Sequence, residues 1–332
     1  MTAPNGFPAL LQDFFHRRLV DERGASTHTI ASYRDTFTLL LRYAAERTGR
    51  TPSALRLDDL DSPLILGFLD HLETERGNVA RTRNLRLTAI RSFMRHVSLH
   101  DPAALPVAQR VLAISPKRFD RPALDFLSRQ EMETLLDTPD RGTWSGHRDA
   151  VLFNVLYNTG ARVSEAIRLR NTDVLVDRSS AVHLHGKGCK ERVVPLWTST
   201  AKQVRAWLVC IDPNPDAPVF PNRAGKPLSR SGVEHRLRAA IDKASQRCPS
   251  LAARPISPHT IRHSTALHLL QSGVDITVIA LWLGHEDTAT THQYIEADLA
   301  MKEEALKRLD DPGGKPVRFK AGDRLLAFLE AL

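Results

Sequence analysis

At 332 residues with 42% hydrophobic composition, the chain is long enough for two domains, each with its own core. A net charge of +8 favours a polyanionic partner. No apolar run approaches the roughly 18 residues of a membrane span and no signal-peptide pattern opens the chain; Cys189, Cys210 and Cys248 are odd in number and lack paired metal spacing, so a reducing cytoplasm is the expected compartment.

The N-terminal third reads as helical. Ser26 or Thr27 is placed to cap a helix from Ile30 to Ala44, in which Tyr33 lies in phase with Ile30, Phe37, Leu40, Leu41 and Ala44. Tyr43 shares that helix, and both tyrosines read as core aromatics. Ser62 and Pro63 open a second helix with Leu64, Ile65, Phe68, Leu69 and Leu72 on its apolar side. A third places Leu87, Ile90, Phe93, Met94 and Val97 inward and carries Arg81, Arg83, Arg86, Arg91 and Arg95, which are assigned to its outer side. Such a face is either simply solvated or set against phosphates. The Pro-containing basic stretch AISPKRFDRPALDF then breaks the periodicity and reads as a linker.

Further on, VLFNVLYNTGARVSEAIRLR predicts an apolar helix stopped by Gly160, with Tyr157 in its core run. A second, amphipathic helix follows, with Val163, Ala166, Ile167 and Leu169 buried and Arg162 at its start. The segment AVHLHGKGCKERVVPL alternates like two strands joined by a glycine-rich turn, which puts Lys187 at the tip between Gly186 and Gly188. In PISPHTIRHSTALHLLQSG, Ser257 is the predicted N-cap and Pro258 the first helical residue, so His259 and Arg262 share a face at i, i+3. His263 stands at i+4 from His259, a spacing that suits zinc, but Thr260 and Ile261 follow His259, so the glutamate of an H-E-x-x-H helix is missing and no metal is expected. Asp275 caps DITVIALWLG, Gly284 stops it, and His285 follows. Tyr294 lies in the polar context Thr290, Thr291, His292, Gln293 and Glu296, outside any apolar stripe. Beyond it come a helix-like stretch, a break at Pro312, Gly313 and Gly314, and an amphipathic end with Leu325, Leu326, Phe328, Leu329 and Leu332.

Arg162, Lys187, His259, Arg262, His285 and Tyr294 together make a chemically coherent set. Attack on a phosphodiester builds negative charge on the non-bridging oxygens, and guanidinium forks stabilise it. A turn lysine is placed to protonate the leaving sugar oxygen, histidines move protons or hold phosphate, and a tyrosine hydroxyl becomes the covalent carrier, conserving the bond without ATP.

In order and context, TGARVSEA, GKGCKERVVPL, HTIRHSTA, LGH and the downstream Tyr294 resemble the boxes of the tyrosine recombinase, or phage-type integrase, family. The resemblance implies that Arg162 and Arg262 clamp the scissile phosphate, Lys187 protonates the leaving 5′ oxygen, His259 and His285 complete the phosphate site, and Tyr294 forms a 3′-phosphotyrosine. Glu165 and His263 match accessory positions. One departure follows the nucleophile, where many members read Tyr-Thr-His and this chain reads Tyr294, Ile295, Glu296. The implied fold is mainly α with a small antiparallel sheet. It comprises a helical, SAM-like core-binding domain (1–114), a linker (115–126), a catalytic domain (127–311) and a tail (312–332) that docks on a neighbouring protomer. The implied partners are double-stranded DNA, with the arginines of the third helix on its phosphates and grooves, copies of the chain in a synaptic homotetramer, and sister recombinases. No cofactor or membrane is implied, and the protein is expected to join the nucleoid when DNA-bound. The expected activity is site-specific recombination through a Holliday junction, in integration or transposition of a mobile element. A type IB topoisomerase, or a site-specific DNA-binding protein without catalysis, are the alternatives.

Overall fold

The computed structural model describes residues 6–120, 125–176, 180–186 and 190–284. Two compact units divide between Pro122 and Ala123.

The first unit is all helix. α1 (Phe7–Asp13) runs directly into a π-helical segment, Phe14–Glu22, followed by α2 (Thr27–Thr48), α3 (Ser62–Thr74), α4 (Ala80–His100) and α5 (Leu105–Leu112). Ser26 caps α2, its hydroxyl accepting from the Thr29 N–H. α3 opens with Ser62 and Pro63, as read from the sequence, and Asp61 caps it, its carboxylate accepting the Leu64 N–H at 2.9 Å. The core is built on aromatic edges: Phe93 meets Phe14 at 5.5 Å and Phe37 at 5.3 Å, edge to face. Tyr43 is buried and Tyr33 packs against the same cluster.

The α4 arginines divide differently from the sequence expectation. Leu87, Ile90, Phe93, Met94 and Val97 are buried as expected, but so is Arg83, at 6% exposure, with its Nε 3.5 Å from Glu73 Oε2. The helical period explains this, because positions 83, 87, 90, 94 and 97 form a single stripe. Arg81 and Arg95 are exposed, while Arg86 and Arg91 are half-buried flankers whose Nε atoms lack a hydrogen-bond partner among the described residues.

The second unit surrounds a buried helix. α6 (Arg129–Leu136) leads to α7 (Trp144–Thr159), whose Val151, Leu152, Phe153, Val155 and Leu156 are all buried. Gly160 ends α7 at φ 59, and a Cβ there would stand 2.3 Å from Leu283 Cδ2. Both the left-handed backbone and the close approach call for glycine. The amphipathic helix expected next is a single turn, α8 (Val163–Ala166). Tertiary backbone partners end it: Leu169 O accepts from Val219 N, and Asn171 N donates to Ala217 O. Those bonds require extended chain and compete successfully with helical propensity.

β1 (Val174–Leu175), β2 (Ala181–His185) and β3 (Glu191–Pro195) make a three-stranded antiparallel sheet in that order. Opposite Val182 stands Val194, and opposite Leu184 stands Arg192. Strand alternation therefore puts Arg192 on the face that buries Val182, Leu184 and Val194. α9 (Thr198–Leu208), α10 (Arg230–Ala244), α11 (Pro258–Gln271) and α12 (Ile276–Leu283) complete the unit. Ser257 caps α11 and Asp275 caps α12, as read from the sequence.

Candidate active site

Two helix ends position the site. α11 is fixed to the end of α7 by the Thr265 hydroxyl, which donates to Tyr157 O at 2.7 Å. α12 is fixed to the same turn by the Trp282 indole, which donates to Asn158 O at 3.2 Å. The α7–α8 turn, the start of α11 and the C-terminus of α12 thus share one framework.

Into this framework project the arginines. Arg262, 4% exposed, donates through Nη1 to Gly160 O and through Nη2 to Leu283 O at 2.8 Å. Arg162 donates through Nη2 to Gly284 O at 3.4 Å. Consecutive carbonyls at the end of α12 therefore hold both guanidinium groups, and the negative end of the helix dipole suits those cations. A side chain on Gly284, at φ 65, would run into Arg192, with Nη1 at 3.0 Å.

Glu165 organises the other side. This 4%-exposed carboxylate accepts the Arg162 backbone N–H at 2.9 Å, Arg162 Nη1 at 2.9 Å and Arg192 Nη2 at 2.7 Å. Burial pushes its acidity toward the neutral form, but the hydrogen bond and charge of Arg192, joined by the bonds from Arg162, outweigh that and hold the carboxyl below its ordinary range. It is ionised at neutral pH and anchors Arg162 by charge-assisted bonds.

Both histidines of α11 are driven toward the neutral form. For His263 the value falls to about 4, chiefly through burial, then through His259 and Arg262, against the opposing charge of Asp125. His259 reaches solvent, yet desolvation by its surroundings, followed by the charges of Arg230, Arg262 and Arg162, lowers it as well, with Glu234 opposing. Neutral imidazoles accept or donate a proton at a phosphate without adding a fixed charge. The two groups of residues with metal-ligand spacing among the described residues lie elsewhere in the chain and include neither His259 nor His263.

The structure thus brings Arg162, Glu165 and Arg262 together on one framework, with His259 and His263 on the helix that carries Arg262. Lys187, His285, Tyr294 and the tail from 312 lie outside the described residues. Their attachment points are described: Gly186 N donates to Lys190 O at 2.7 Å to close the hairpin base, and a Cβ on Gly186 would lie 3.4 Å from Glu165 Oε1. His285 follows the residue whose carbonyl receives Arg162.

Arg192 was missed from sequence. It ties Glu165 to α12 by donating from Nε to Trp282 O at 2.9 Å. A signal was present in the strand alternation, since an arginine in phase with Val194 has to find a buried partner.

Residues 125–301 match the sequence pattern of the phage integrase family, and residues 12–97 match the SAM-like N-terminal domain of phage integrases. The chain belongs to the phage integrase family. As such it is a tyrosine-type site-specific recombinase that cuts and rejoins DNA. The recombinase is 45% identical over 332 residues to the integrase/recombinase y4rC of Sinorhizobium fredii, covering 100% of both chains. It is 33% identical over 280 residues to the tyrosine recombinase XerD of Staphylococcus aureus, covering 82% of this chain and 89% of that one. Its fold matches the solved structure of the Tn1549 transposon integrase with circular intermediate DNA at TM-score 0.68 and 15% identity, over 90% of this chain and 99% of that one. No helix among the described residues is long and apolar enough to cross a membrane.

Proposed function

We propose that the recombinase integrates or transposes a mobile element, with Tyr294 as the nucleophile that forms a 3′-phosphotyrosine and Arg162 and Arg262 as the phosphate clamp. In this reading Lys187 protonates the leaving 5′ oxygen, His259 and His285 complete the phosphate site, and Glu165 and His263 support it. The observation that carries the reading is the convergence of Arg162 and Arg262 on the carbonyls of Leu283 and Gly284 beside the ionised Glu165. Two fixed cations held by bonds to the protein need no reorganisation when charge develops on the phosphate, which is what transition-state stabilisation requires.

Exchange would proceed in a homotetramer on two double-stranded sites, through a Holliday junction, with sister recombinases as further partners. The exposed Arg81 and Arg95, and the half-buried Arg86 and Arg91, are assigned to DNA phosphates; Arg83 holds Glu73 instead. Likeness to an integrase/recombinase along the full chain supports the mobile-element role.

A nicked suicide duplex, built from the junction at which the element is inserted, tests the reading. Wild-type protein is expected to accumulate covalently on the 3′ phosphate, and Tyr294→Phe to bind the duplex without forming the adduct. An adduct in the Phe variant overturns the assignment of the nucleophile. Strand exchange between two element ends, rather than relaxation of one supercoiled circle, is the expected product.

A further inference from the structure

Outside the recombination chemistry, the N-terminal unit gathers Asp13, His96 and His100 so that one ligand atom from each lies within 4.8 Å of the others. His96 and His100 are one turn apart on α4, and their rings are 4.1 Å apart. Asp13 ends α1, where the chain enters its π-helical segment. Such segments are uncommon and recur at functional sites.

Two features of the group point to a ligand. His96 is 3% exposed, and neither of its ring nitrogens has a hydrogen-bond partner among the described residues. Its Nε2 stands 3.1 Å from Asp13 Oδ2, an ion-pair contact, while Nδ1 faces no partner. A buried imidazole whose Nδ1 has no partner and whose Nε2 meets only the edge of a carboxylate is costly unless a further group joins the two. His100, in turn, places Nδ1 2.8 Å from the His96 carbonyl oxygen. That oxygen only accepts, so Nδ1 carries the proton and Nε2 keeps its lone pair, the orientation that a backbone carbonyl gives a metal-binding histidine.

We propose that Asp13, His96 and His100 bind a divalent transition-metal ion of the zinc class, fixing the Phe7–Glu22 segment to α4. Two imidazoles and a carboxylate suit zinc and cobalt over magnesium, which prefers oxygen ligands. Tetrahedral ligands with bonds of about 2.0 Å stand about 3.3 Å apart, and the exposed His100 ring can close the remaining distance. Asp13 is also partly exposed, which gives an ion an entry path. The nearby cation Arg18 is paired with Glu22 at 2.8 Å, a carboxylate that Arg17 also meets at 3.3 Å.

A second group, Asp173, His183 and His185, serves as the control. There, both His185 nitrogens already meet carboxylates, Asp173 at 3.0 Å and Glu191 at 3.0 Å, so ion pairing accounts for the cluster.

The test is a Co²⁺ titration of the full chain, read by its visible d–d absorption and by Zn²⁺ displacement, with wild type, His100→Ala, Asp13→Asn and His185→Ala. Wild type and His185→Ala are expected to show a Co²⁺ band that Zn²⁺ bleaches. Affinity should fall at least about tenfold in both His100→Ala and Asp13→Asn, each checked for native circular dichroism. Absence of the band in wild type, unchanged affinity in both variants, or loss confined to His185→Ala overturns the proposal.

Discussion

The Arg192 guanidinium donates a 2.7 Å hydrogen bond to Glu165, 27 residues earlier, and a second, 2.9 Å bond to the carbonyl of Trp282. One strand residue therefore sets both the anion that grips Arg162 and the helix end whose carbonyls hold Arg162 and Arg262. Arg192 acts on the phosphate clamp through Glu165 and is a positioning residue.

Arg192→Ala should therefore lower stability by about 3 kcal/mol, near the low end for breaking a buried pair because Arg162 still neutralises Glu165. Cleavage of the suicide substrate should slow while duplex binding holds, since the clamp is misplaced rather than removed. Arg192→Lys should recover only part of both, having no planar fork to span Glu165 and Trp282. Urea unfolding with single-turnover cleavage checks this; wild-type cleavage by the Ala variant would show that Arg192 is only a packing residue.

Gly160→Ala combines a left-handed φ of 59 with a Cβ placed 2.3 Å from Leu283 Cδ2. The expected loss is about 2–3 kcal/mol, from roughly 1 kcal/mol of backbone strain and overpacking against a side-chain tip that can partly yield. Because Gly160 O also receives Arg262, catalysis should fall by more than stability accounts for. Activity measured well below the melting midpoint separates the two effects.

Much of this framework was legible in the chain. Gly160 and Gly284 as stops, Ser257 and Asp275 as caps, and the α4 stripe all follow from local rules that the fold obeys. The misses have different causes. α8 shrinks to one turn because Val219 and Ala217 claim the backbone after it. Arg83 goes inward because it lies in phase with the α4 stripe, where Glu73 receives it, and Arg192 escaped notice because its partners lie in other boxes of the sequence.

His263 should impose a pH dependence on stability. Its folded value of about 4 lies below the ordinary 6.5, so between those limits the unfolded chain binds the extra proton. Stability is expected to fall as pH drops from 6.5 to about 4 and to change no further below that from this group. The loss is roughly 3 kcal/mol at most, at 1.36 kcal/mol per unit. Glu165 works in the same direction at lower pH, its stabilisation being present above the ordinary 4.5 and lost as pH falls through its depressed folded value. His263→Gln should flatten the upper part of the curve in urea titrations at pH 7 and 5. An unchanged slope would mean that folding leaves the proton affinity of His263 unshifted.

The division of labour between clamp and proton donor is open to a chemical test. Arg262→Ala removes a guanidinium that is anchored by two carbonyls and buried, so the developing phosphate charge loses a preorganised donor. The expected cost is on the order of 10²-fold in cleavage rate, by analogy with deletion of an oxyanion-hole donor. Lys187→Ala should also be slow on normal DNA, for want of a proton on the 5′ oxygen. Replacing that oxygen by sulfur creates a leaving group that needs no proton, so sulfur-substituted DNA should restore Lys187→Ala toward the wild-type rate and leave Arg262→Ala impaired. Equal rescue of both variants would show that Lys187 is a second phosphate clamp, and rescue of neither would move the proton donor to another residue.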